Sequence, residues 1–97
     1  MKGYLVLDLS ITELNGFLEY ADKIPAFIAK HGGRYLVQGV VPEKVEGEWL
    51  PDRLVVLEFP TTAKAKDFLD DPEAQGLFTL RKASTTSQLI LAEGCTA

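Results

Sequence analysis

Glu58 is the side chain in this 97-residue chain best placed to do chemistry. It interrupts the apolar run Leu54-Val55-Val56-Leu57 and precedes Phe59, which puts a carboxylate near the end of a strand expected to be central. A carboxylate so placed needs a cationic partner. Arg53 lies five residues earlier and so points to the opposite face of the strand, whereas Arg34 and Arg81 come from other elements and can reach it. One reading is an acid/base or anion-orienting pair, with Glu58 raised in pKa by burial. The other is a Glu–Arg bridge that fastens the strand to a neighbour and catalyses nothing.

His31, the only histidine, is the one side chain whose unperturbed pKa lies near neutrality, which suits a proton shuttle. It also stands just before Gly32-Gly33 in a last helical turn, where an imidazole meets the negative end of the helix dipole. Tyr20 falls on an apolar helical stripe, as a packed core phenol or with its hydroxyl turned into a cavity. Asp8 ends the first strand on the same face as Tyr4 and Val6, as a site carboxylate or a turn acceptor. Trp49, in the acidic stretch Glu46-Gly47-Glu48-Trp49, reads as packing over an edge of the subunit or as a lid. Cys95 has no base beside it and reads as an incidental thiol. One histidine with scattered carboxylates falls short of a metal site, so no metal is expected. The chain has no Gly-x-Ser-x-Gly motif, phosphate loop or dinucleotide fingerprint, and no cofactor is expected.

These residues must be positioned by four apolar runs and two helical stretches. Strands are expected at about 2–9, 34–41, 53–59 and 87–93. Phe17, Tyr20, Ala21, Ile24, Phe27 and Ile28 recur at three- and four-residue steps, predicting a helix over 14–30 with a kink or restart at Pro25. Ser10-Ile11-Thr12 supplies hydroxyls for its entry, and Gly32-Gly33 ends it. Pro60-Thr61-Thr62 opens a second helix ending near Asp70, and Asp71-Pro72-Glu73 starts a fresh one with Asp71 as its cap. Ala83-Ser84-Thr85-Thr86 reads as the loop before the last strand. The order is β-α-β-β-α-β: an α+β, ferredoxin-like domain over 1–97, with an antiparallel four-stranded sheet and helices on one face.

The strands are apolar on both alternating faces, as in Tyr4-Leu5-Val6-Leu7 and Leu89-Ile90-Leu91-Ala92, yet the helices can cover only one. A second subunit is the simplest cover for the other. Four strands about 4.8 Å apart and about 20 Å long present roughly 400 Å². At ~25 cal/mol per Å² its burial contributes on the order of 10 kcal/mol per subunit, comparable with an association cost of about 4–15 kcal/mol. A homodimer through the sheet face follows as an expectation. The net charge of −4 argues against a nucleic-acid surface, which needs a concentrated Lys/Arg face. The first apolar stretch stops at Asp8, too short for a signal peptide or a membrane span, so the chain is read as cytoplasmic and complete.

Gly3-Tyr4, Tyr20 with Pro25, Gly32-Gly33-Arg34, Glu46-Gly47, Arg53, Glu58-Phe59-Pro60, Ala65, Asp71-Pro72-Glu73, Arg81 and Glu93-Gly94 together resemble domain-of-unknown-function family 1330, within the dimeric α/β-barrel superfamily. The resemblance implies a ferredoxin-like subunit whose sheet stacks on its partner's to form a barrel, and it supplies no reaction. Members of that family tend to carry an aromatic where this chain has Ala74, and often Trp where it has Phe68; loss of the aromatic at Ala74 would widen any pocket it lined.

Two functions compete. The first is a homodimer that binds a small molecule, with Tyr20, Arg34, Glu58 and Arg81 as ligand-binding candidates. The second, by analogy with the wider superfamily, is a cofactor-independent monooxygenase or isomerase for a small anionic or aromatic substrate. There Arg81 or Arg34 would hold the anion while Glu58 or His31 moved a proton. A closed apolar cavity on which Glu58 and an arginine converge would favour the enzyme.

Overall fold

A computed structural model describes residues 1–95 as β1 (Gly3–Ile11), α1 (Leu14–Lys30), β2 (Arg34–Val40), β3 (Arg53–Phe59), α2 (Thr62–Asp70), α3 (Gln75–Ser84) and β4 (Thr85–Glu93). The strands form one antiparallel sheet in the order β2-β3-β1-β4, the ferredoxin-like arrangement. Alternation along β1 sets its two faces. Leu5, Leu7 and Leu9 are buried beneath the helices, whereas Tyr4, Val6 and Asp8 lie on the open face and are only partly covered.

The core is built where α1 and α2 meet the sheet. Tyr20, Ile24 and Ile28 repeat every fourth residue on α1 and pack with Phe59, Ala65, Phe68 and Phe78. Phe68 lies at its centre, with ring centroids 5.3 Å from both Phe59 and Phe78. Helix α1 does not restart at Pro25. At its end Gly32 takes φ +77°; its N–H donates to Ala29 O and that of Gly33 to Ile28 O, a Schellman cap that only a glycine enters without strain. Gly33 is needed for a different reason: a Cβ there would stand 2.6 Å from Phe59 Cε1 and 2.9 Å from Ile28 Cγ2.

Several boundaries differ from the sequence reading, each because a side chain or a ladder took another role. Ser10 and Ile11 pair with Thr86 and Thr85 and so extend β1. The cap of α1 is instead Glu13, whose carboxylate accepts from the Asn15 and Gly16 N–H groups at 3.1 and 2.5 Å. Asp71 precedes a turn, and α3 begins at Gln75. One Asp71 oxygen accepts from Glu73 N, and the other is taken by Lys30 and His31. No loop separates α3 from β4, because the Ser84 and Thr85 hydroxyls donate to Leu80 O and Arg81 O, each at 2.7 Å.

Candidate functional site

Between α1 and the sheet lies a cleft of about 400 Å³. Leu5, Leu7 and Leu9 of β1 form its floor, with Val55 and Leu57 of β3, and Phe17, Leu18 and Ala21 of α1 form its roof. Its polar lining consists of Tyr20, Tyr35, Gln38, Arg53 and Arg81, with no carboxylate or imidazole among the described residues. In a chain of net charge −4, this interior is cationic.

Arg81 is the most informative of these groups. It reaches the cleft from the last turn of α3 and is 6 % exposed. Its guanidinium carbon stands 6.0 Å from the Tyr20 ring centroid and 5.7 Å from that of Phe78, cation–π contacts in an apolar setting. The Nε atom is buried without a hydrogen-bond partner, and no carboxylate among the described residues pairs with the group. A second, more open cavity is also lined by Arg81, together with Gln75, Lys82 and Ser87. Buried charges are ordinarily paired. Here no carboxylate among the described residues supplies the countercharge, and the Tyr20 hydroxyl is the only polar group seen to meet the guanidinium.

The phenols point the same way. Burial pushes the Tyr20 hydroxyl up in pKa, with the Arg81 charge and a hydrogen bond from its guanidinium partly opposing. Burial, helped by Tyr20, pushes Tyr35 up to about 12. Both are therefore neutral O–H donors at neutral pH. Guanidinium and phenol donors facing an apolar space make a receptor for an oxyanion.

Glu58 lies elsewhere. In the register Tyr4 and Arg34 both pair with it, so it belongs to the open sheet face, opposite the cleft. Its carboxylate accepts from Arg34 Nε at 3.0 Å, Tyr4 Oη at 3.0 Å and Lys2 Nζ at 3.4 Å. The Arg34 guanidinium holds the carboxyl below its ordinary range, burial opposes, and Tyr4 and Lys2 reinforce the lowering. The rise expected from burial is thus reversed. Glu58 and Arg81 do not converge; Arg34 belongs with Glu58, and Tyr20 with Arg81.

His31 is absent from the cleft lining as well. As the C-cap of α1 its Nε2 stands 2.8 Å from Asp71 Oδ2, and the ionised carboxylate can only accept, so Nε2 carries the proton. Lys30 Nζ reaches the same oxygen at 2.8 Å, tying the end of α1 to the α2–α3 junction. On the open face Asp8 accepts from Trp49 Nε1 at 2.9 Å, which folds the 41–52 connection back toward the sheet. Ala74 packs in the core and lines neither cavity, so its small size does not widen the cleft. Cys95 is a free, exposed thiol.

Sequence reasoning missed Tyr35, Gln38 and Arg53 as site residues. Arg53 was legible, since its odd spacing from Glu58 already assigned it to the helix-covered face. Tyr35 and Gln38 were not: they are three residues apart, and strict alternation sends one to each face. The register shift between Tyr35 and Val37 brings both into the cleft.

Comparison with known proteins agrees with this architecture. A protein of unknown function from Rhodopseudomonas palustris superposes with a TM-score of 0.80 at 16 % identity, covering 99 % of this chain and 84 % of that one. SnoaB, a cofactor-independent oxygenase from Streptomyces nogalater, matches with a TM-score of 0.65 at 16 % identity over 99 % of this chain and 95 % of its own. A dimeric ferredoxin-like protein of unknown function from Jannaschia sp. CCS1 matches with a TM-score of 0.66 at 12 % identity, over 97 % and 100 % of the two chains. No curated protein matches the sequence. At these identities the likenesses establish the ferredoxin-like fold. The family described as a domain of unknown function, DUF1330, matches residues 2–95, and the chain belongs to that family.

Proposed function

We propose that this protein is a cytoplasmic homodimer, joined through its open sheet face, that binds a small, largely apolar anion in the cleft between α1 and the sheet. The observation that carries the ligand reading is Arg81: a buried guanidinium beside an apolar cavity, with no carboxylate partner among the described residues. The ligand's oxyanion is the missing partner, and the Tyr20 and Tyr35 hydroxyls add donors. The open face supports the dimer. Val6, Val56 and Ile90 form an apolar row across three strands, and Ile90 is 62 % exposed in the single chain.

Binding is favoured over catalysis because the cleft lining lacks a carboxylate or imidazole to move a proton. An oxygenase of the kind that SnoaB represents remains the second reading, on the strength of the donor array: the groups that hold a carboxylate would equally stabilise a bound enolate or phenolate. A thermal-shift series with aryl carboxylates, phenolates and their neutral amides or ethers tests the first reading. The anions raise the melting temperature and the neutral analogues do not. Equal shifts from both sets would remove the anion from the recognition.

A further inference from the structure

We infer that the cleft recognises its ligand at two points, taking an elongated molecule with an anionic group at each end and an apolar body between. This rests on the anion-binding role proposed for Arg81 and adds Arg53 as the second contact. The chain has three arginines, and their pairing separates them. Arg34 is held by Glu58 on the open face. Arg53 and Arg81, which line the cleft, have no carboxylate partner among the described residues.

The two differ in depth and lie on opposite sides of the sheet's centre. Arg53 is exposed at the start of β3, and its Nη1 donates to Gly39 O at 3.0 Å, which fixes the guanidinium at the cleft's edge beside Gln38. Gly39 takes φ +73° at the β2 register shift between Gln38 and Val40, so the backbone conformation that turns this carbonyl toward Arg53 favours glycine. Arg53 and Ser87 both pair with Leu9, one on each side, so they stand two strand spacings or about 10 Å apart. Arg81 lies on the Ser87 side, sharing the second cavity with it. Between the two cations the lining is leucine, valine and aromatic rings. A ligand with one charge would pair the buried guanidinium and leave the rim guanidinium to water, whereas an elongated molecule with a second anion pairs both.

The test compares biphenyl-4,4′-dicarboxylate with biphenyl-4-carboxylate by calorimetric titration of the wild type, Arg53→Gln and Arg53→Lys. The wild type binds the dicarboxylate about five- to tenfold more tightly, as one partly exposed charge-assisted contact provides. In Arg53→Gln this ratio falls to about two, the statistical factor for a molecule with two equivalent ends, and in Arg53→Lys, which keeps the charge, most of it returns. A ratio of about two or less in the wild type, or a ratio untouched by Arg53→Gln, would overturn the second contact and leave the Arg81 site standing. Failure of both probes to bind the wild type would overturn both readings. Because Arg53 is an exposed residue, its substitution leaves the fold intact, which far-ultraviolet circular dichroism checks.

Discussion

Replacing Arg81 by methionine should make the ligand-free protein more stable while abolishing anion binding, a pairing of effects that an ordinary core arginine would not give. The side chain is 6 % exposed and no carboxylate among the described residues pairs with it. Exchange of buried ionic groups for apolar residues of similar volume is often neutral or stabilising, by about 1–4 kcal/mol. Loss of the cation–π contacts to Tyr20 and Phe78 opposes the gain by about 1–2 kcal/mol in total. The midpoints leave a net gain of about 1 kcal/mol, and for a domain of this size each kcal/mol moves the melting temperature by roughly 4–8 °C. Differential scanning calorimetry of Arg81→Met without ligand should therefore show a rise of roughly 4–8 °C. With an aryl carboxylate at a hundredfold its dissociation constant, the wild type gains about 2.7 kcal/mol and the variant none, so their order reverses. A ligand-free variant that melts below the wild type, or one that gains equally from the anion, would show that Arg81 is a structural residue.

Three other substitutions probe the frame around the cleft. Ile90→Asp places a charge in the middle of the open face, and sedimentation equilibrium should show a dimer for the wild type and a monomer for the variant; a dimer for both would place the interface elsewhere, and a monomeric wild type would overturn the dimer. Lys30 and His31 hold the Asp71 carboxyl well below the ordinary carboxylate range, so its folded pKa is depressed. That contribution is complete above the unfolded value of about 3.9 and is lost as the pH falls below it; Asp71→Asn should be less stable at pH 7 and should lose part of the slope of stability between about pH 5 and 2. Gly33→Ala forces a methyl group against the Phe59 ring and Ile28, and chemical denaturation should show a loss of about 1–3 kcal/mol; a neutral result would mean that the end of α1 can shift freely.

How far the sequence disclosed the molecule depends on whether a feature is local or made by register. Helix α1 was legible to the residue, because an apolar stripe at three- and four-residue steps ends in the glycine pair that caps it. The open apolar face was legible from strands that are apolar on both sides. Glu58 was correctly seen to need an arginine, and Arg34 supplies it. Which face that pair occupies depends on the position of β3 between β2 and β1, and the open side carries it away from the cleft. Arg81 was identifiable as a candidate but its isolation was not, since an unpaired charge is a property of everything packed around it. His31 was read as a helix-end residue, and the partner it found there, Asp71, is remote in sequence. The β2 irregularity between Tyr35 and Val37, which brings Tyr35 and Gln38 to one face, leaves no glycine or proline signature in the sequence.

The role of Arg81 is tested most directly by a crystal structure of the protein soaked with 4-iodobenzoate, in which anomalous scattering from iodine locates the ligand. The predicted result is a molecule lying between α1 and the sheet with its carboxylate on the Arg81 guanidinium and its ring against Leu7 and Phe17. A saturated crystal whose cleft is empty, or a carboxylate held instead by Arg34 and Lys2 beside Glu58, would contradict an anion site at Arg81.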